Sequence, residues 1–428
     1  MSGTNGRHRH VLTGNHAAAY ACRDCRVQVV AAYPITPQSP VTERISQFVA
    51  SGEMPAQYVC VESEHSAITV CIGAATAGAR TFTATSANGL CLMHEQLHWA
   101  AGARLPIVMA CVNRGVAAPW TVWTDHQDAM SQRDTGWIQI YVEDNQEIYD
   151  TIIQAYLLAE RAMLPVMVCY DGYVLSHTVM PVTTLEPSAV DAFLPPYESP
   201  LPLDPENPVN TGLVTMPDPR YDHPGIAELG GYMEIRHRLQ QDLAAAEAEV
   251  VRINEEFGRA FGRSHGGRMR THQTDDAELV ILAMGTAASE SRVAAELLRG
   301  RGHRVGVASL RLFRPFPVQI LRELAAKVGR LMILDRAVSY GYEGPLASET
   351  KAALYGLTNP PEVFSFVAGI GGREISAEMI AHAAESILTG QAVPPDKPQD
   401  MPWINLQPAR ATSAHGREIE SNKVTAVK

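Results

Sequence analysis

Short, unbroken apolar runs alternate with amphipathic stretches along the first 180 or so residues, and this alternation predicts a parallel α/β sheet. Residues 27–33, 57–61, 81–85, 107–112, 137–142 and 166–170 read as strands. Their apolar positions are continuous rather than alternating, as expected for strands covered on both faces. Helical patterns fit between them at 16–26, 65–77, 90–101 and 145–161. A first domain is therefore expected over 1–181.

The pattern then breaks. Ten of the 28 prolines fall between Leu185 and Gly225. Proline fixes φ and lacks a backbone donor, so this stretch predicts an extended surface crossover, neither helix nor central strand. A long helix follows from about Gly231. Along it Leu239, Leu243, Ala246, Val250, Ile253 and Phe257 recur at alternating spacings of four and three, one apolar stripe. The stripe suits either its own domain or a partner chain. Crossover and helix make up 182–270. Alternation resumes with strands at 279–284, 305–310, 331–334 and 363–368 and helices at 287–299, 317–328 and 346–354, a second α/β domain over 271–390. The tail, 391–428, is polar and without periodicity. No internal repeat is evident.

A composition 46% hydrophobic and 19% charged belongs to a globular chain with a sizeable core. The net charge of -11 argues against nucleic-acid binding, which needs clustered Lys and Arg. Residues 1–10 are polar with no signal-like apolar run, and no stretch approaches the ~20 apolar residues that span a bilayer. No membrane association and a cytoplasmic location are the expectation. Seven cysteines in 428 residues are not a disulfide framework. Cys60, Cys71, Cys91, Cys111 and Cys169 sit in apolar surroundings, and the Cys22/Cys25 pair continues a helical run with no second pair to complete a metal site. No metal is expected on this chain.

Some motifs point elsewhere. His94-Glu95-Gln96-Leu97-His98 is a literal H-E-x-x-H, which places two imidazoles on one helical face, as in a zinc hydrolase. The continuation carrying a third ligand is absent. Gly369-Ile370-Gly371-Gly372 and Gly285-Thr286 lack a full G-x-G-x-x-G and read as turns. Asp171-Gly172 lacks the preceding glycine of the G-D-G that opens a thiamin diphosphate–metal motif.

Four features converge instead at the carboxyl ends of predicted strands, where ligands bind in parallel sheets. The Tyr33-Pro34-Ile35-Thr36-Pro37 turn is stiffened by prolines on both sides of Ile35-Thr36 and directs the Thr36 hydroxyl. Glu62-Ser63-Glu64-His65 opens a helix. Asn113-Arg114-Gly115 follows a strand, and the polar loop from Trp123 to Asp128 comes soon after. Taken singly, Glu62 or Glu64 suits a helix cap and Arg114 an ordinary surface ion pair.

These residues, with Thr81 through Ser86, Leu105-Pro106-Ile107, Arg133 through Trp137, Phe313 through Pro317 and Leu334-Asp335-Arg336, resemble the alpha subunit of 2-oxoacid:acceptor oxidoreductases, the pyruvate:ferredoxin type above all. The resemblance implies a pyrimidine-type thiamin diphosphate domain followed by a transketolase-C-terminal-like α/β domain. It implies Glu64 as the carboxylate on the aminopyrimidine, favouring the tautomer that deprotonates the thiazolium carbon. Thr36 and Arg114 would contact the substrate carboxylate, Arg114 through a charged fork. Pro34 would pack on the pyrimidine.

The same resemblance implies a beta subunit carrying the diphosphate–Mg2+ site, gamma and ferredoxin-like subunits, iron–sulfur clusters on partners, and coenzyme A as acyl acceptor. The reaction would be oxidative decarboxylation of a 2-oxo acid, with ferredoxin, or NAD through a flavin subunit, taking the electrons. Pyruvate is the default substrate. Trp120, Trp123 and Met130 leave open a pocket for aryl 2-oxo acids such as phenylglyoxylate. A non-catalytic scaffold subunit and the zinc hydrolase are the alternatives.

Overall fold

The computed structural model describes residues 7–200 and 231–407. Most of the expected proline-rich crossover and the end of the polar tail lie outside the described residues. The chain divides into two compact units, Met1–Met269 with Arg311–Pro317, and Arg270–Leu310 with Val318–Lys428. The described part of the stretch expected as crossover and helix thus belongs to the first unit.

Along the first unit run β1 (Arg7–Thr13), α1 (Gly14–Asp24), β2 (Val29–Ala32), α2 (Ser39–Ala50), β3 (Gln57–Cys60), α3 (Glu64–Thr76), β4 (Thr81–Thr85), α4 (Ala87–Leu92), α5 (His94–Gly102), β5 (Val108–Asn113), α6 (Gln127–Met130), β6 (Ile138–Tyr141), α7 (Asn145–Ala162), β7 (Val166–Asp171), β8 (Val179–Leu185), α8 (Pro187–Phe193) and α9 (Tyr232–Phe261). Then come β9 (Met269–His272), β10 (Leu279–Ala283), α10 (Thr286–Gly300), β11 (Val305–Leu310), β12 (Leu312–Arg314), α11 (Val318–Ala325), β13 (Arg330–Asp335), α12 (Pro345–Leu354), β14 (Glu362–Val367) and α13 (Ala377–Leu388).

A seven-stranded sheet of order β12-β6-β7-β5-β4-β2-β3 forms the first unit. All its pairs are parallel except β12 on β6. Every residue of β4, β5, β6 and β7 is buried, which is why these strands read as continuous apolar runs. Because β3, β2, β4, β5 and β7 are neighbours, their carboxyl ends share one edge. The second unit holds a five-stranded sheet of order β14-β13-β10-β11-β9.

Several elements differ from expectation. The apolar stripe of α9 faces its own unit: Leu239, Ala246, Val250, Ile253 and Phe257 are buried in the core with α1 and α7 residues, and Phe257 and Phe261 meet the Phe193 ring at 5.4 and 5.5 Å. Proline at the first turn of α8 permits a helix inside the expected crossover, since a first-turn N–H has no helical partner to lose. The polar start of the chain forms β1, paired antiparallel with β8 in a separate two-stranded sheet. Cys60 is exposed rather than set in apolar surroundings. Among the described residues, no helix is long and apolar enough to cross a membrane.

Candidate active site

The turn after β2 and the loop after β5 meet directly. Arg114 Nη1 donates to the Thr36 carbonyl at 2.7 Å, and its Nε donates to the Thr121 carbonyl at 3.0 Å. Arg114 is buried, whereas Pro34 and Thr36 are exposed on the turn. Part of the expected fork is therefore engaged by backbone, and the remaining guanidinium N–H groups are what Arg114 offers a ligand. Gln38 fixes the turn from behind, its Nε2 donating to the Tyr33 carbonyl at 2.7 Å. Gly172, after β7, closes the same corner: a Cβ there would lie 2.5 Å from the Asn113 carbonyl oxygen and 2.8 Å from the Pro37 ring.

The carboxyl end of β3 separates the two acidic candidates. Ser63 caps α3 through the Ser66 N–H, which turns Glu62 outward, where it pairs with the Ser66 hydroxyl. Glu64, first residue of the helix, turns inward and is only 6% exposed. Burial raises its pKa, against the opposing effect of its own backbone N–H. Among the described residues no side chain hydrogen-bonds its carboxyl. Beside it stand Gly89 of α4 and Thr85 at the end of β4. A Cβ on Gly89 would fall 2.5 Å from Glu64 Oε1 and 2.6 Å from Thr85 Oγ1, so glycine keeps a small space between carboxyl and hydroxyl. The Thr85 and Ser86 hydroxyl oxygens are buried without a hydrogen-bond partner.

No hydrogen bond joins Glu64 to Arg114 among the described residues. The α4 turn links them: Asn88 Oδ1 accepts from the Ala117 N–H at 3.0 Å, and the Ala87 N–H and Arg114 N–H both donate to Asp128 Oδ2 at 2.9 Å. Thr36, Arg114 and Glu64 thus stand along one sheet edge. Gly89 and Asn88 received no role from the sequence, and Asp128 and Thr85 entered only within longer segments, with no role of their own. Their partners are backbone groups or side chains distant along the chain, and spacing carries no trace of them.

A buried carboxyl without a side-chain partner, with the unpartnered Thr85 hydroxyl across the space kept by Gly89, leaves polar groups that need a ligand. Such a set fits the hydrogen-bonding edge of a flat heterocycle such as an aminopyrimidine. The diphosphate-like motif is occupied otherwise: Asp171 Oδ1 accepts from the Thr124 hydroxyl at 3.0 Å and lies 3.0 Å from His126 Nε2, deep in the core. The H-E-x-x-H turn is also otherwise engaged. His94 Nδ1 lies 2.6 Å from Gln132 Oε1, and the His94 and His98 rings meet edge to face at 5.0 Å. Among the described residues, no three His, Cys, Asp or Glu side chains are grouped to hold an ion. Of the three residues expected around a large substrate pocket, Met130 is in the core at 1% exposure, while Trp120 and Trp123 are exposed.

Comparison with known proteins shows the family of the chain. Residues 20–228 match the family of the thiamine diphosphate-binding domain of pyruvate flavodoxin/ferredoxin oxidoreductase, and 277–380 match core domain II of pyruvate:ferredoxin oxidoreductase. The ketoisovalerate oxidoreductase subunit VorA of Pyrococcus horikoshii is 45% identical over 89% of this chain and 93% of its own length. The pyruvate synthase subunit PorA of Methanocaldococcus jannaschii is 44% identical over 86% of this chain and 92% of its own. In fold, the chain is similar to a 2-oxoglutarate:ferredoxin oxidoreductase from Magnetococcus marinus, with a TM-score of 0.67 at 20% identity, covering 88% of this chain and 65% of that one. With both domain families matched in order and relatives aligned over nearly their full length, the chain belongs to the alpha subunits of the 2-oxoacid:ferredoxin oxidoreductases.

Proposed function

We propose that this chain supplies the pyrimidine-side half of a thiamin diphosphate site and the substrate-carboxylate contacts for oxidative decarboxylation of a 2-oxo acid to its acyl-CoA. The observation that carries the reading is the Glu64 carboxyl, buried and without a side-chain partner beside the space kept by Gly89. Bound there, the cofactor supplies the carbon nucleophile and electron sink that decarboxylation needs. Glu64, with its raised pKa, holds or gives up a proton at its carboxyl against the pyrimidine ring. Pro34 forms a wall of the ring site. Thr36 and the free N–H groups of Arg114 orient the substrate carboxylate.

The diphosphate and Mg2+ belong to a beta subunit in this reading, since Asp171 is committed to His126 and Thr124. Iron–sulfur clusters sit on partner subunits, with coenzyme A as acyl acceptor and ferredoxin, or NAD through a flavin subunit, as electron acceptor. The presence of Thr36, Glu64 and Arg114 together on one edge argues against a scaffold role. An aliphatic 2-oxo acid is the favoured class, since Met130, one of the three residues that suggested a larger pocket, is buried in the core. Pyruvate is the leading substrate. The ketoisovalerate relative supports the branched 2-oxoisovalerate as a second candidate.

The test is kcat/KM of the assembled complex over pyruvate, 2-oxoisovalerate, 2-oxoglutarate and phenylglyoxylate, with coenzyme A and ferredoxin. Pyruvate or 2-oxoisovalerate should lead. Preference for phenylglyoxylate would overturn the aliphatic assignment, and failure on every 2-oxo acid would overturn the function.

A further inference from the structure

One fully buried charge lies at the centre of the site edge and has no part in the reaction as described. Asp128, on α6, is buried and accepts four hydrogen bonds from N–H groups and a longer one from the Cys111 thiol. Its Oδ2 takes the N–H groups of Ala87 and Arg114, each at 2.9 Å, and its Oδ1 takes Asn113 Nδ2 and the Ala129 N–H, each at 2.8 Å. The two Oδ2 donors come from opposite halves of the site. Arg114 reaches the Thr36 turn. Ala87 begins the turn that sets Gly89 against Glu64, and it does so at φ 45°, a left-handed conformation that a residue with a Cβ keeps only where its surroundings hold it.

Resting on the function proposed above, we propose that Asp128 is a positioning residue that holds the Glu64 half and the Arg114 half of the site in register, through one carboxylate oxygen bonded to both. The titratable groups around it are Asp125 from its own loop, Cys91 from α4, Cys111 from β5, with Sγ 3.9 Å from Oδ2, and Tyr141 from β6. The bonds to Asp128 come from neutral groups, four amide N–H groups and the Cys111 thiol, so geometry rather than an ion pair fixes its place. Burial pushes its carboxyl up to about 6 in spite of those donors. An asparagine at this position must turn an amide N–H2 toward one pair of N–H donors: toward the Oδ2 pair it opens both sides of the link, and toward the Oδ1 pair it removes the Asn113 and Ala129 bonds that fix the orientation of the bridging oxygen.

The experiment compares wild type with Asp128→Asn in the complex assembled with its partner subunits. It reads the KM for pyruvate and the half-saturating concentration of thiamin diphosphate. Both should rise on the order of tenfold, because both halves move. Asn113→Ala, which removes one of the four bonds, should raise both by a smaller factor. Assembled Asp128→Asn enzyme with both constants within twofold of wild type, or with only one of them raised, overturns the proposal. So does failure of both variants to assemble, which would give Asp128 a folding role alone. Glu64→Gln and Arg114→Ala, measured in parallel, separate this result from the reading beneath it. If those two keep near-wild-type turnover, the functional reading fails and this proposal with it. If they lose turnover while Asp128→Asn keeps both constants, only the positioning role fails.

Discussion

At the scale of single residues, burial decides which groups are available for chemistry. Glu62 and Glu64 are two positions apart, yet the first is exposed and paired with Ser66 while the second is buried against Gly89. Gly89 is as constrained as the carboxylate it faces. Gly89→Ala places a methyl 2.5 Å from Glu64 Oε1, and a helix backbone at that point cannot yield easily. The variant is expected to assemble with a modest loss of stability, about 1–3 kcal/mol, typical of an overpacked site. It should lose at least tenfold in thiamin diphosphate affinity, read by titrating activity in the assembled complex; unchanged affinity would remove Gly89 from the site. Arg114→Ala takes away the donors proposed to hold the substrate carboxylate and also the bond that braces the Thr36 carbonyl. Its kcat/KM for the 2-oxo acid should fall by about 10²-fold or more, the size expected when a charge-assisted contact is lost. Because the Thr36 turn loosens too, Arg114→Lys should recover little of it.

At the scale of elements, the strands were legible because burial on both faces leaves unbroken apolar runs, as in β5 and β7. The stripe on α9 was equally legible in the sequence, but not its destination. Periodicity reports that a face is apolar, and only packing reports that Phe257 meets Phe193. Phe257→Ala should therefore destabilise the isolated chain by about 3–5 kcal/mol, measured by denaturant unfolding. A cost seen only after assembly would return the stripe to an interface. The helix α2 escaped the sequence pattern because it starts at Ser39-Pro40, directly behind the proline-stiffened turn, where a further proline reads as more of the same loop. The site residues at strand ends were legible because parallel sheets bind ligands there. The part Asp128 plays within its polar loop was not, since the two N–H groups that its Oδ2 joins lie 14 and 41 residues away.

A second capping carboxylate gives the second unit a pH signature. Asp335, at the end of β13, accepts the Leu346 and Ala347 N–H groups at the start of α12, each at 2.9 Å, and burial raises its carboxyl to about 7. The folded chain binds this proton more tightly than the unfolded chain, whose Asp titrates near ~3.9. Its contribution to stability is thus fully present below about pH 4 and is lost as pH rises through about 7. The melting temperature should fall between pH 5.5 and 8, and Asp335→Asn should flatten that slope; an unaltered slope would place the titrating group elsewhere.

At the scale of the whole molecule, the proposed reading gives this chain half of a site. It offers a buried carboxyl and a substrate-facing arginine, while its Asp171 is bonded into the core and unavailable to a diphosphate-bound metal. The similarity of Asp171-Gly172 to a metal motif is thereby explained as the closing of the Pro37 corner, where Gly172 packs without a side chain. The isolated chain should accordingly bind thiamin diphosphate far more weakly than the assembled complex, by at least 10²-fold in calorimetric titration. The central claim is that Glu64 is the carboxylate through which this chain activates the cofactor. The most direct measurement is kcat of the assembled complex carrying Glu64→Gln, with assembly and melting temperature followed alongside. A fall of about 10³-fold or more, at unchanged assembly and stability, is the predicted result. Turnover near wild type would contradict it.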